Sequence, residues 1–140
     1  MKHYEVERTI EASPETVWAI LTDGAGYTAW DSGVERLEGS IADGQKVKVF
    51  SQVSPGRAFP VKVSLDEAGG EMVWTGGMPL GLFKGVRTFR VLPSDDGTHF
   101  SMREEFTGPL LGLIWRTMPD LDPSFRQFAD GLKEAAEAQA

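Results

Sequence analysis

The chain has 140 residues, 41% of them hydrophobic, with 16 glycines and a formal net charge of −7. That is the size of one ordinary domain with apolar material enough for a core, which excludes a disordered chain. Its 14 Lys and Arg are dispersed among 21 Asp and Glu, so neither nucleic acid nor an anionic membrane surface is an expected partner.

Cysteine is absent, which removes disulfides, thiolate metal sites and a thiol nucleophile, and fits a reducing cytoplasm. The N-terminal Met1-Lys2-His3-Tyr4-Glu5 lacks the apolar stretch of a signal peptide. The longest apolar run, Pro109 to Trp115, is too short to cross a bilayer, so no membrane insertion is expected.

Tyr4, Val6 and Ile10 alternate with His3, Glu5 and Glu7, which predicts a first strand whose pattern Arg8 breaks. Ser13-Pro14-Glu15 then starts a helix: a hydroxyl cap, a proline preset for the first turn, and an acid at the positive end of the helix dipole. Val17, Trp18, Ile20 and Leu21 follow at helical spacing. Asp23-Gly24 stops that helix, and a second short one is expected around Ala25 to Trp30.

From Val34 to Thr107 the period changes to two. Turn signals at Asp43-Gly44, Pro55-Gly56, Gly69-Gly70 and Asp95-Asp96-Gly97 punctuate the runs. Val47, Val49, Ser51 and Val53 share a face, as do Phe59, Val61, Val63 and Leu65, then Met72, Trp74 and Gly76, then Arg87, Phe89 and Val91, then Phe100, Met102, Glu104 and Phe106. Strands joined by short turns make an antiparallel meander, and with no helical crossover a parallel α/β sheet is excluded. Gly108-Pro109 ends the sheet, and Leu110 to Trp115 is a short apolar segment broken at Met118-Pro119. Asp122-Pro123, a cap followed by proline, predicts the start of a last helix. Phe125, Phe128, Ala129, Leu132, Ala135 and Ala136 line one side of it, with Arg126, Asp130, Lys133, Glu134 and Glu137 opposite. The expected order is β-α-α-β-β-β-β-β-β-α, an α+β single domain over 1–140 in which a curved sheet of six to seven strands wraps the last helix.

This order resembles the SRPBCC (START-like, polyketide cyclase-like) superfamily. The resemblance is carried by Ile10-Glu11-Ala12-Ser13-Pro14-Glu15-Thr16-Val17-Trp18, then Leu21-Thr22-Asp23, Tyr27 and Trp30. Gly44, Met72-Val73-Trp74, Phe89, Gly97-Thr98, Phe106 and the stretch from Phe125 to Lys133 extend it over the whole chain. The resemblance implies a helix-grip fold with an internal cavity. It also implies binding of lipids, polyketides or hormones, cyclase or dehydratase chemistry, or chaperone regulation, since one fold hosts all of these.

Motifs for other chemistry do not survive their context. Gly24-Ala25-Gly26-Tyr27-Thr28-Ala29 has the form G-x-G-x-x-A, but a helix precedes it where a dinucleotide site needs a strand. Gly39 to Gly44 has P-loop spacing with Gln45 where Lys is required. His3 and His99 lie far apart, each without carboxylates at ligand spacing, so no metal is expected, and no cofactor motif appears. His99 is out of phase with Phe100 and falls on the outer face. No G-x-S-x-G nucleophile elbow is present.

The distinctive feature is a pair of charges in apolar phase. Arg87 aligns with Phe89 and Val91, Glu104 with Met102 and Phe106, on consecutive strands. Both point inward, where an unpaired charge is costly, so they are expected to pair. In an apolar cavity such a pair orients a ligand carbonyl, phenol or carboxylate, or supplies an acid. A structural ion pair at a cavity mouth, or a bulge that slips the phase, gives the same pattern. The candidate ligand-binding residues are Trp74, Arg87, Phe89, Met102, Glu104, Phe106, Met118 and Phe125, with Trp18 and Trp30 supporting the first helices. The leading reading is a carrier or sensor of a small apolar ligand, as a monomer or weak homodimer. A cyclase or dehydratase using Glu104 or Arg87, and a protein-interaction module, are the alternatives. No exposed apolar stripe is readable in favour of the module.

Overall fold

The computed structural model describes all 140 residues. One seven-stranded antiparallel sheet has the spatial order β1-β7-β6-β5-β4-β3-β2. Its strands are β1 (Lys2–Ile10), β2 (Val34–Glu38), β3 (Lys46–Ser51), β4 (Ala58–Asp66), β5 (Glu71–Gly77), β6 (Lys84–Ser94) and β7 (Gly97–Thr107). From β2 to β7 it is a plain meander, and β1 returns to pair with β7 from Lys2↔Phe106 to Ile10↔Thr98.

Helix α1 (Pro14–Leu21) begins where expected: the Ser13 hydroxyl accepts from the Thr16 amide at 3.2 Å. The second helix is a single 3-10 segment, Gly24–Ala29, whose first turn Asp23 caps by accepting from the Gly26 amide. The apolar run after the sheet forms the five-residue helix α2 (Leu111–Trp115). Helix α3 (Asp122–Gln139) is the long one. Asp122 lies inside its first turn rather than capping it; its own amide donates to Asp120 Oδ1.

The concave face of the sheet and α3 enclose one core. Phe125, Phe128, Ala129, Leu132 and Ala136 of α3 meet Val6, Ile10, Val63, Met72, Phe89, Val91, Phe100 and Met102. The expected apolar stripe is the buried one, save that Ala135 is only half-buried. Gly131 lets α3 approach closely: a Cβ there would collide with the Asp31 carbonyl and crowd Trp30.

The polar side of α3 does more than face water. Arg8 Nε donates to Asp130 Oδ1 at 2.6 Å, Lys133 Nζ to the Thr9 carbonyl at 2.7 Å, and the Glu11 amide to Glu137 Oε2 at 2.9 Å. These bonds fasten the helix along β1, an edge strand. Arg8, the residue that breaks the apolar alternation of β1, is therefore a tie to the helix.

Candidate functional site

Residues facing one another across the sheet form transverse rows. One row runs Val63–Trp74–Arg87–Glu104–Tyr4 from β4 to β1. All five share the concave face, so the two charges stand side by side among apolar groups, as the alternation requires. The next row inward is Leu65–Met72–Phe89–Met102–Val6, closed under α3. The next row outward is Val61–Gly76–Gly85–Phe106–Lys2. It holds two glycines beside the ion pair. Neighbours close over both: a Cβ at Gly85 would stand 2.6 Å from Glu104 Oε2 and 3.3 Å from the Phe106 ring, and one at Gly76 2.9 Å from the Pro60 carbonyl oxygen.

Arg87 Nη2 lies 2.7 Å from Glu104 Oε1, and Nε donates to the same oxygen at 2.8 Å. The two side chains keep 24% and 15% of their exposure, enough to place the pair at a mouth rather than deep in the core. No hydrogen bond inside the protein uses Arg87 Nη1 or Glu104 Oε2. The guanidinium sits 4.7 Å from the Phe125 ring centre and 6.0 Å from that of Trp74, within cation–π range. The Trp74 indole N–H is buried without a partner, alone among buried side-chain polar atoms.

Helix α2 covers the mouth. Trp115 packs 5.5 Å from Tyr4 and 5.7 Å from Phe106, centre to centre, and Tyr4 also meets Phe125 at 5.6 Å. On the inner side, Tyr27 is fully enclosed beside Trp74, Trp30 and Phe128, and its hydroxyl donates to the Leu21 carbonyl. Burial pushes its phenol far above the ordinary range, the Arg87 charge working against this and the Asp23 charge with it. Tyr27 therefore stays neutral and serves as a structural donor rather than an acid or base.

Of the residues singled out from sequence, Trp74, Arg87, Phe89, Met102, Glu104, Phe106 and Phe125 come together on the concave face. Trp74, Phe89, Met102 and Phe125 are close-packed members of the core. Met118 is half-buried beyond α2, outside that core, with its amide bonded to the Ile114 carbonyl. Sequence reasoning missed Tyr4, Trp115 and Gly85 as neighbours of the pair; the two glycines in one row become visible only once the register is known. His99 lies on the outer side with Nε2 3.6 Å from Glu7 Oε1. No three His, Asp or Glu side chains gather as a metal site.

Another concavity lies away from the pair. It is an open cleft of about 820 Å³ between α1 and the far ends of β4 and β6, lined by Trp18, Ile41, Leu65 and Val91 with Glu15 and Glu67 at its rim. It does not include the ion pair. We place the candidate site at the pair, because there charged and unpartnered polar groups converge within apolar walls, whereas the cleft is open and its carboxylates, Glu15 on α1 and Glu67 in the β4–β5 turn, are exposed.

The fold recurs in solved structures. TTHA0849 from Thermus thermophilus superposes with a TM-score of 0.75 at 22% identity, over 99% of each chain. Protein MLL2253 from Mesorhizobium loti gives 0.74 at 18% identity, again over 99% of each chain. Protein jhp0584 from Helicobacter pylori gives 0.73 at 14% identity, covering 96% of this chain and 86% of its own. No curated protein shows significant similarity to the chain. A family described as polyketide cyclase / dehydrase and lipid transport matches residues 1–137. A curled sheet gripping a C-terminal helix, with that match over nearly its full length, means that the chain belongs to this family of the SRPBCC superfamily.

Proposed function

We propose that the chain is a carrier or sensor that holds a small apolar ligand at the mouth of the grip. The ligand's one oxygen-bearing end is directed at Arg87 and Trp74. Phe89 and Met102 form the floor, Trp74, Phe106 and Phe125 the walls, and Met118 the approach behind α2. Trp115 covers the ligand.

The observation that carries this reading is the unused hydrogen bonding at the ion pair. Arg87 commits Nε and Nη2 to a single oxygen of Glu104 and keeps Nη1, while the Trp74 N–H has no acceptor at all. A buried donor without an acceptor costs about 1–3 kcal/mol, which a ligand carbonyl or carboxylate offsets. The family's description, which includes lipid transport, supports the apolar character of the ligand. The side chains present need do no more than bind and orient.

Native mass spectrometry of protein purified from its own host tests the reading. The expected spectrum shows a non-covalent adduct, apolar in body and carrying a carbonyl or carboxylate, that is depleted in Trp74→Phe protein. An adduct with no oxygen acceptor, or one equally abundant in Trp74→Phe, contradicts it.

A further inference from the structure

Seven large apolar side chains are exposed, and only Leu92 stands apart from the others. The rest are Met1, Phe59, Met78, Leu80, Leu82 and Leu113. In an antiparallel meander the start of β1, the start of β4, the β5–β6 connection and the exit from β7 all lie at the same end of the sheet. Those are the places these six residues occupy. The β5–β6 connection and the α2 segment are joined directly, the Leu110 amide donating to the Leu82 carbonyl at 3.0 Å. At the tip, Leu80 is 96% exposed and has φ +61°, a left-handed conformation that a leucine adopts at a cost. No packing within the protein offsets that cost.

Charge is uneven along the same axis. The segments that carry Met78, Leu80, Leu82 and Leu113, residues 76–86 and 107–119, contain no Asp or Glu and hold Lys84 and Arg116, with Lys2 at the start of β1; the carboxylates at this end, among them Asp31, Glu35 and Glu105, lie outside them, on β2 and its lead-in and on β7. The turns at the opposite end hold Asp43, Asp66, Glu67, Asp95 and Asp96. Within a net charge of −7, the β5–β6 connection and the segment around α2 therefore present exposed apolar groups with cations and no carboxylate of their own.

We propose that this end docks peripherally on an anionic lipid surface. Leu80, Leu82, Met78 and Leu113 enter the headgroup boundary and Lys2, Lys84 and Arg116 meet the phosphates. Interfacial binding of this kind needs apolar area together with local cations, and no helix that spans the membrane. The mouth of the grip, under Trp115, then faces the bilayer. The inference goes beyond the ligand reading and does not require it.

Flotation with vesicles of phosphatidylcholine alone, and of phosphatidylcholine mixed with phosphatidylglycerol, tests it. The wild-type chain floats with the mixed vesicles and much less with the neutral ones, and added salt weakens the binding. Leu80→Gly suits the left-handed backbone, so its thermal midpoint does not fall, yet its vesicle affinity drops about tenfold. Lys84→Glu and Arg116→Glu each lower affinity about fivefold or more, while Lys46→Glu, at the far end, leaves it unchanged. Wild-type protein that ignores mixed vesicles overturns the proposal, as does a loss that Lys46→Glu reproduces. A concentration-dependent dimer abolished by Leu80→Gly, without vesicle binding, assigns the surface to a second copy instead and also overturns it. Double replacement of Arg87 and Glu104 by Met leaves flotation intact if docking is correct, whatever it does to ligand binding, so the two readings fail separately.

Discussion

Arg87 and Glu104 stand directly opposite each other on β6 and β7, with Nη2 2.7 Å from Oε1, in a row whose other members are Val63, Trp74 and Tyr4. Two charges in one apolar row are stable only as a pair. Removing one partner strands the other, whereas removing both removes the desolvation cost as well.

Glu104→Gln keeps shape and an acceptor but leaves the guanidinium without its counter-charge. We expect a loss of about 1–3 kcal/mol in denaturant unfolding, toward the low end because both groups retain some exposure. Replacing both Arg87 and Glu104 by Met should cost less than Glu104→Gln alone. Equal or greater loss in the double variant would show that the pair itself stabilises the fold.

Gly131→Ala tests how tightly α3 is gripped. On helix propensity alone the change gains about 1 kcal/mol. The added Cβ meets the Asp31 carbonyl, which is backbone and cannot swing away, so the expected outcome is a net loss of about 1–3 kcal/mol. A stability increase, read by thermal unfolding, would mean that α3 sits farther from the 3-10 segment.

The tie between Arg8 and Asp130 gives a pH signature. The Arg8 hydrogen bond holds the Asp130 carboxyl below its ordinary value, and Asp130 in turn raises Arg8. The folded value lies below the unfolded one. The tie's contribution is therefore complete above a pH of about 4 and is lost as the pH falls through the depressed folded value. Asp130 is 61% exposed, so the contribution is at most about 1 kcal/mol. Asp130→Asn should lower stability slightly at neutral pH and flatten the acid limb of the stability curve. An unchanged acid limb would show that the tie is absent in solution.

Much of the fold was legible in the chain. Period-two runs and the Gly-containing turns specify the meander, and Ser13-Pro14-Glu15 specifies the start of α1, because these features are local. The facing of Arg87 and Glu104 was legible for the same reason: both lie in phase with apolar neighbours on strands joined by one short turn. Tyr4 and Trp115 were not, since they reach the pair through the β1–β7 closure and through α2, contacts between residues far apart in sequence. The exposed apolar end was missed because Met78, Leu80 and Leu82 come from one connection and Leu113 from another, so no stripe exists in either. The local placement of charge was not legible for the same reason, since a net charge sums over the whole chain.

The central claim is that the grip recognises an apolar ligand by an oxygen-bearing end placed at Arg87. The direct measurement is the affinity of 9-anthracenecarboxylate relative to anthracene, by fluorescence titration of the wild-type chain and of the double Met variant at Arg87 and Glu104. The wild type should prefer the carboxylate by about tenfold or more, the scale of one charge-assisted hydrogen bond. The double variant should bind both probes with similar affinity and keep its fold. A wild-type chain that binds the two equally, or a double variant that retains the preference, would contradict it.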